Sequence, residues 1–576
     1  MRKVLVYLKP YMMIYILAGA LIMMTTFADL ALPGIMKDIV NIGISSKDTV
    51  YIIHKGLIML LITLFNLTCW VLASYFDAKA SFYFARDLRK DVFSHVIDSS
   101  VDQTDKTGTA SLINRTTNDI ANLEFSTFRI LRMGTIAPFT CIGGIILAFR
   151  TSVEISGIFV LAAVLLAFIC YVIISKATPF FKFVFPKTDA VNRVLRENLT
   201  GIRVIRAFNK DHAEKKRFNS ANEDLTETNI KAQKIMAWHS PLITLIMNLT
   251  IIAILYFGAV KIDEGTFLPG ELIAMIQYAT LILGAFIRLS MVFQMLPRYN
   301  AAAKRVSELL YMKNTLKEPH VKEINKPINS SISFSHVIFN YGNAQNAVID
   351  DVSFSAESGK TTAIIGGTGS GKSTIMQLIL RFYDAKKGSI MIGGVDIRDM
   401  KKNKLRSYFG YAAQEAELFS GSIAQNLSYG CRDFNEGAIK EVARIAQAED
   451  FIMDKSDGYS ASIAQNGKNF SGGQRQRLSI ARALARKPKI LLFDDSFSAL
   501  DFKTDAKLRK AIKEKFNDTT VLIIAQRIAT VMDADKIIVL NEGKVEDVGT
   551  HDELINRCIF YKELALSQLS KEEVLI

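Results

Sequence analysis

Cysteine is scarce and unpatterned: Cys69, Cys141, Cys170, Cys431 and Cys558 lie scattered, with no CxxC pair. That spacing supports neither a disulfide framework nor a zinc site. The basic N-terminus, Met1 to Pro10, lacks a small-residue cleavage site and leads into an apolar span too long for a signal peptide. It reads as a retained membrane segment with a cytoplasmic start. There is no low-complexity tract and no repeat with a period of about 20 to 50 residues. Acidic residues run short on one side only. Residues 1–330 hold 37 Lys and Arg against 25 Asp and Glu, net +12, whereas residues 331–576 hold 33 against 31, net +2. A basic excess confined to the more hydrophobic half speaks against a nucleic-acid partner and fits the basic cytoplasmic loops of a membrane protein.

Half of the 576 residues are apolar and the mean hydropathy is +0.21, unusual for a soluble chain of this length. Apolar runs long enough to cross about 30 Å of hydrocarbon occur near 11–32, 56–75, 133–149, 155–174, 241–260 and 272–296. None follows Leu310. The connections after the first, third and fifth runs are short and poor in basic residues (Lys37, Lys47, Lys55, Arg150, Lys261). Those after the second and fourth exceed fifty residues and carry far more Lys and Arg, which predicts a multi-pass protein with both termini and both long loops in the cytoplasm. Within these loops charged and apolar residues recur at helical spacing with almost no Gly or Pro, so half a loop can carry a helix roughly 40 Å beyond the bilayer. Such a rod is either a solvated stalk or a transmitter of force to a cytoplasmic domain. Asp29 and Arg288 are ionisable groups inside apolar runs, and Asp29 is a candidate attractor of cationic molecules. Met and Phe side chains in the spans suit varied apolar molecules, and equally lipid.

From about Ser331 the pattern changes to short strands alternating with helices, the signature of an α/β domain. Gly366-Gly367-Thr368-Gly369-Ser370-Gly371-Lys372-Ser373 matches GxxxxGK[ST] and follows an apolar strand. Backbone N–H groups of such a loop wrap phosphates, Lys372 neutralises the outer ones and Ser373 offers a hydroxyl to Mg²⁺. Asp494 ends a second apolar strand and suits an aspartate that holds Mg²⁺ through water. Ser471-Gly472-Gly473-Gln474 opens a helix, whose N–H groups and positive dipole end suit an anion.

In chain order, the glycine loop, Gln414, Ser471 to Gln474, Asp494 and Ser498-Ala499-Leu500-Asp501 are similar to the ATP-binding cassette of ABC transporters. Six spans with two long loops ahead of one cassette resemble an exporter half-transporter of the type IV fold. The resemblance covers nearly the whole chain. It implies an α-helical six-span transmembrane domain over 1–316, a linker over 317–330, and an α/β P-loop (RecA-like) cassette with a helical subdomain over 331–576. It also implies ATP and Mg²⁺ as cofactors. In a dimer, two nucleotides would lie between cassettes, each held by one chain's glycine loop, with Thr374 beside it, and the other chain's SGGQ. Residue by residue, Tyr341 would stack on adenine, Gln414 would sense Mg²⁺ and water, and Asp501 would lie across the interface. Segments 111–122 and 208–218 would couple the spans to the cassettes.

Two positions depart from the pattern. Asp495 stands where the family places a glutamate base, and Gln526 where it places a histidine. A carboxylate one methylene shorter sits roughly 1 to 1.5 Å back, beyond the reach of about 3.2 Å that a base needs. Gln526 can hydrogen-bond a phosphate but cannot shuttle a proton. His551 lies in a separate segment, and 463–468 lacks the acidic residue that related exporters often carry. The resemblance is therefore nearest to the degenerate-site subunit of bacterial heterodimeric multidrug exporters. It implies a plasma-membrane efflux ATPase for hydrophobic small molecules whose own site hydrolyses weakly and whose SGGQ completes a different partner chain's site. A lipid or peptide exporter, including a slow homodimer, and a regulatory ATP-sensing membrane subunit are the alternatives.

Overall fold

The structure, a computed structural model, describes residues 2–312, 316, 329–342, 344, 346–431 and 435–568. Most of the expected linker, 317–328, lies outside these residues. The chain forms two compact units: Met1–Asp98 with Gly108–Met312, and Ser99–Thr107 with Lys313–Ile576.

The first unit contains six helical stretches, Val4–Ile44, Thr49–Asp98, Thr109–Thr151, Val153–Thr200, Asp211–Asp263 and Pro269–Tyr311, of 41 to 53 residues each. A bilayer needs about 20, so each helix carries on for roughly 30 Å or more past the apolar core. The rods read from the long loops are thus continuous with the spans. Leu60, Leu61, Leu64 and Phe65 on the second helix are all exposed, as a lipid-facing surface requires. Inside the bundle, small residues let helices close up: a Cβ on Gly143 would come within 2.6 Å of Leu30 and one on Gly144 within 2.7 Å of Ile282. The core around them joins Leu30, Ile155, Phe159, Leu166, Ile243, Ile254, Met275 and Ile282. Of the two ionisable groups read in the spans, Asp29 accepts a hydrogen bond from the Asn66 amide. A second core joins Phe84, Leu88, Val92, Ile120, Leu123, Val306 and Leu309 on the helical extensions. Beside it the Arg305 guanidinium donates to both carboxylate oxygens of buried Asp119, at 2.7 and 2.6 Å. This fork ties the third helix to the sixth.

The coupling segment expected at 111–122 is instead part of the third helical stretch, in the first unit. What lies with the cassette is Ser99–Thr107, where the Tyr383 hydroxyl donates to Asp105 at 3.0 Å. The backbone explains the shift: helix Thr49–Asp98 stops before Ser99, and Gly108, at φ 77°, turns the chain into the next rod. The second expected segment, 208–218, holds a turn with Asn209 at φ 51° and the start of helix Asp211–Ala237.

The second unit is built on a six-stranded sheet ordered Lys544–Gly549, Lys536–Asn541, Thr361–Gly366, Thr520–Ile524, Ile490–Asp494 and Phe409–Ala412. All its pairings are parallel except the first, which is antiparallel. Ile490–Asp494 and Thr520–Ile524 are buried at every position, which explains their unbroken apolar sequence. A second, antiparallel sheet orders Ile349–Ala356, Ile332–Phe339, Lys387–Ile392 and Val395–Asp396. Helices Glu436–Ile445 and Gly472–Ala485 pack with the parallel sheet in one core that includes Ile439, Val442, Leu478, Leu484, Leu491 and Phe493.

The fork between Asp119 and Arg305 sets a stability expectation. Asp119→Ala should lower stability by roughly 1 to 2 kcal/mol, below the value for a fully buried charged pair because the arginine still reaches water. Thermal unfolding in detergent tests this, and an unchanged midpoint would count against the tie between the two helices.

Candidate nucleotide site

The glycine loop is shaped by contacts that exclude side chains. A Cβ on Gly366 would lie 2.0 Å from the Leu540 carbonyl oxygen, and one on Gly371 2.8 Å from that of Val348. Gly369 and Gly371 also take φ of 83° and 97°. Gly367 faces open space, leaving room for a ligand against the backbone. Helix Lys372–Ile379 starts at once, so its free N–H groups and dipole point into the loop. The buried Lys372 ammonium donates to the carbonyl oxygens of Gly366 at 2.8 Å and Gly367 at 2.6 Å. Burial pulls its pKa below the usual lysine range, while Asp495 and Asp494 act the other way.

Parallel pairing places the remaining groups. Ile524 is in register with Asp494 on one side and Ile364 on the other, so the chain leaves three neighbouring strands at the same edge. There the Ser373 hydroxyl donates to the Asp494 carboxylate at 2.9 Å. Burial pushes the Asp494 carboxyl up and the Asp495 charge adds to that, whereas Ser373 opposes it. A cavity of about 440 Å³ is lined by Ser373, Gln377, Tyr411, Gln414, Arg482 and Asp494, among others. Tyr411 was not singled out from the sequence. Burial and then Asp494 push its phenol up, and no motif letter signals it.

Asp495 takes φ 47°, a left-handed conformation that Asp tolerates better than most residues. Its Oδ2 accepts from the Gln414 amide at 3.5 Å. Burial raises its pKa, and the Ser498 hydroxyl and the Gln526 backbone N–H are the first groups opposing that rise. Gln526 itself is exposed, and among the described residues its side chain makes no hydrogen bond. Its backbone is held instead. Gln568 donates to the Gln526 carbonyl oxygen at 2.9 Å and accepts from the Ile528 N–H at 2.9 Å. Sequence reading missed this clamp, because a glutamine that acts on backbone from 42 residues away leaves no motif.

Tyr341 sits beside the loop's helix, its hydroxyl 3.1 Å from that of Thr374 and donating to Gln377 Oε1 at 2.7 Å. Ser471 caps helix Gly472–Ala485 reciprocally with Gln474, at 3.2 and 3.0 Å. Among the described residues, Ser471 to Gln474 make no hydrogen bond to the glycine loop, Asp494 or Asp495. Asp501 likewise caps its own helix, accepting from the Thr504 N–H at 2.9 Å, which holds its exposed carboxyl low. His551 is buried against the Tyr561 hydroxyl at 2.7 Å, away from this edge.

A family model described as the ABC transporter transmembrane region matches residues 15–286, and one described as ABC transporter matches 349–498. An uncharacterized ABC transporter ATP-binding protein of Mycobacterium tuberculosis is 36% identical over 566 residues, 98% of this chain and 97% of its own. The chain belongs to the ABC transporter family. Another uncharacterized ABC transporter ATP-binding protein, YfiB of Bacillus subtilis, is 36% identical over 574 residues, covering 99% of both chains. In fold, this ABC transporter is similar to a bacterial Atm1-family ABC exporter with ATP bound, at a TM-score of 0.82 and 23% identity over 98% of this chain and 99% of that one. The transporter is thus a half-transporter, one membrane region followed by one ATP-binding domain. The glycine loop, the buried Lys372 and the Ser373–Asp494 pair together fit a triphosphate with its cation.

Two expectations follow. Gln568→Ala should speed hydrogen exchange at the Ile528 amide about tenfold, roughly the loss of one backbone hydrogen bond, with ATP affinity unchanged. Unaltered exchange there would remove the clamp. Residual hydrolysis that uses Asp495 as base should be lost on acidification at a higher pH than an ordinary carboxylate allows, because a raised pKa protonates it sooner; a pH–rate profile of the chain alone measures this.

Proposed function

We propose that this protein is one subunit of an ATP-driven exporter of hydrophobic small molecules in a bacterial plasma membrane, with both termini cytoplasmic. It binds nucleotide at a site that cleaves slowly and lends its SGGQ helix to a different partner chain with a competent site. One observation carries the reading: the loop and helix surfaces that would grip phosphate are fully built, while Asp495 and Gln526 stand at the two positions that would move the proton. Lys372, the glycine-loop N–H groups and Thr374 bind and orient the phosphates, with Tyr341 on the adenine. Ser373, Gln414 and Asp494 would hold Mg²⁺, which supplies charge neutralisation to the triphosphate when bound. Asp495, short and held by Gln414, Ser498 and the Gln526 N–H, orders water poorly for attack. Ser471 to Gln474, which among the described residues make no hydrogen bond to their own glycine loop, and Asp501 face the partner's nucleotide. The slow site acts as a clamp, and cleavage chiefly at the partner's site resets the spans.

The chain purified alone should hydrolyse ATP slowly, and Asp495→Glu with Gln526→His should raise turnover about a hundredfold or more. Turnover of several per second by the wild-type chain alone, abolished by Asp495→Asn, would overturn the two-chain reading.

A further inference from the structure

A cavity of about 820 Å³ in the membrane unit lies between the third, fourth, fifth and sixth helices. That volume is at the upper end of the range for small-molecule sites. Its lining mixes apolar side chains with neutral polar ones, among them Asn229, Gln233, His239 and Ser240. Phe181, Met291 and Phe293 form part of an apolar wall, while Arg129 and Arg298 supply its only charges. No carboxylate and no lysine lines it among the described residues. Neither arginine makes an ion pair with a described carboxylate; Arg129 lies over the Phe125 ring, 4.3 Å from its centre. Gln294 adds a neutral hydrogen-bonding group on the same side chain row as Met291 and Arg298. Both arginines stand just beyond the apolar runs 133–149 and 272–296, at one edge of the hydrocarbon core. Asp29 is not part of this lining and is engaged by Asn66.

We propose that this cavity takes an amphipathic anion, its apolar body against the Met and Phe wall and its acidic head between Arg129 and Arg298. The proposal rests on the exporter reading and names the cargo class. Two guanidinium groups on the cavity lining, both solvent-accessible and with no carboxylate beside them in that lining, attract an anion and repel a cation in the same space. The cavity therefore discriminates by charge sign, against the cationic cargo that Asp29 suggested. A free organic anion and the headgroup of an anionic lipid share this chemistry.

The test is equilibrium binding without ATP, using the full-length transporter with any partner chain it requires, so the outcome does not depend on which site hydrolyses. Carboxyfluorescein and tetramethylrhodamine ethyl ester share a ring system and differ in charge. Fluorescence anisotropy should show the anion binding the wild-type protein more tightly. Arg129→Gln with Arg298→Gln should weaken it about tenfold or more, and Arg129→Lys with Arg298→Lys should restore most of the affinity in a protein of unchanged melting temperature. Preference of the wild type for the cation, or anion binding untouched by the double glutamine change, would overturn the proposal. In nanodiscs, displacement of carboxyfluorescein by phosphatidylglycerol but not phosphatidylcholine supports it with a lipid headgroup as the source, and retention against both supports it with a free anion.

Discussion

Everything at the nucleotide site depends on the parallel, in-register pairing of three buried strands, Thr361–Gly366, Thr520–Ile524 and Ile490–Asp494. Because their ends coincide, the glycine loop, Asp494 with Asp495, and the loop of Gln526 emerge side by side although up to 160 residues separate them. A slip of one residue would reverse the face of every side chain on the strand. Unbroken burial of Ile490 to Asp494 and Thr520 to Ile524 holds that register, at the expense of placing carboxylates and an ammonium where water is scarce.

That placement explains the electrostatics of the site. Lys372 is pushed toward its neutral form and both aspartates toward theirs, a mutual frustration that charged phosphates and a cation would relieve. Lys372 meanwhile satisfies its donors on Gly366 and Gly367 carbonyls, so the cradle is pre-shaped. The left-handed backbone at Asp495 and the Gln568 clamp on the Gln526 carbonyl and the Ile528 N–H, either side of Arg527, shape this edge by main-chain geometry.

The membrane unit follows a different logic. Its exposed face is apolar, as lipid requires, and in its interior small residues let helices approach, with charge forked, as at Asp119 and Arg305, met by an amide, as at Asp29, or placed on a cavity lining, as at Arg129 and Arg298. Helical stretches of 41 to 53 residues carry each span well past the apolar core, so the span and its extension follow one another along the same rod.

By itself the sequence determined the elements whose chemistry is local: six apolar spans, the glycine loop with its lysine, Asp494 at a strand end, and the substitutions at Asp495 and Gln526. Each is written in consecutive residues or fixed spacing, because length across hydrocarbon, glycine φ and strand burial are set by the residues themselves. Tertiary structure alone decided what distant segments do together. It moved the segment that lies with the cassette from 111–122 to Ser99–Thr107, since a helix break and the turn at Gly108 depend on what each piece packs against. It also assembled the Gln568 clamp and the cavity of Arg129 and Arg298, whose parts come from separate helices and are unremarkable in isolation. Such contacts have no period or motif, because their energy arises only when the chain brings the surfaces within a few ångströms.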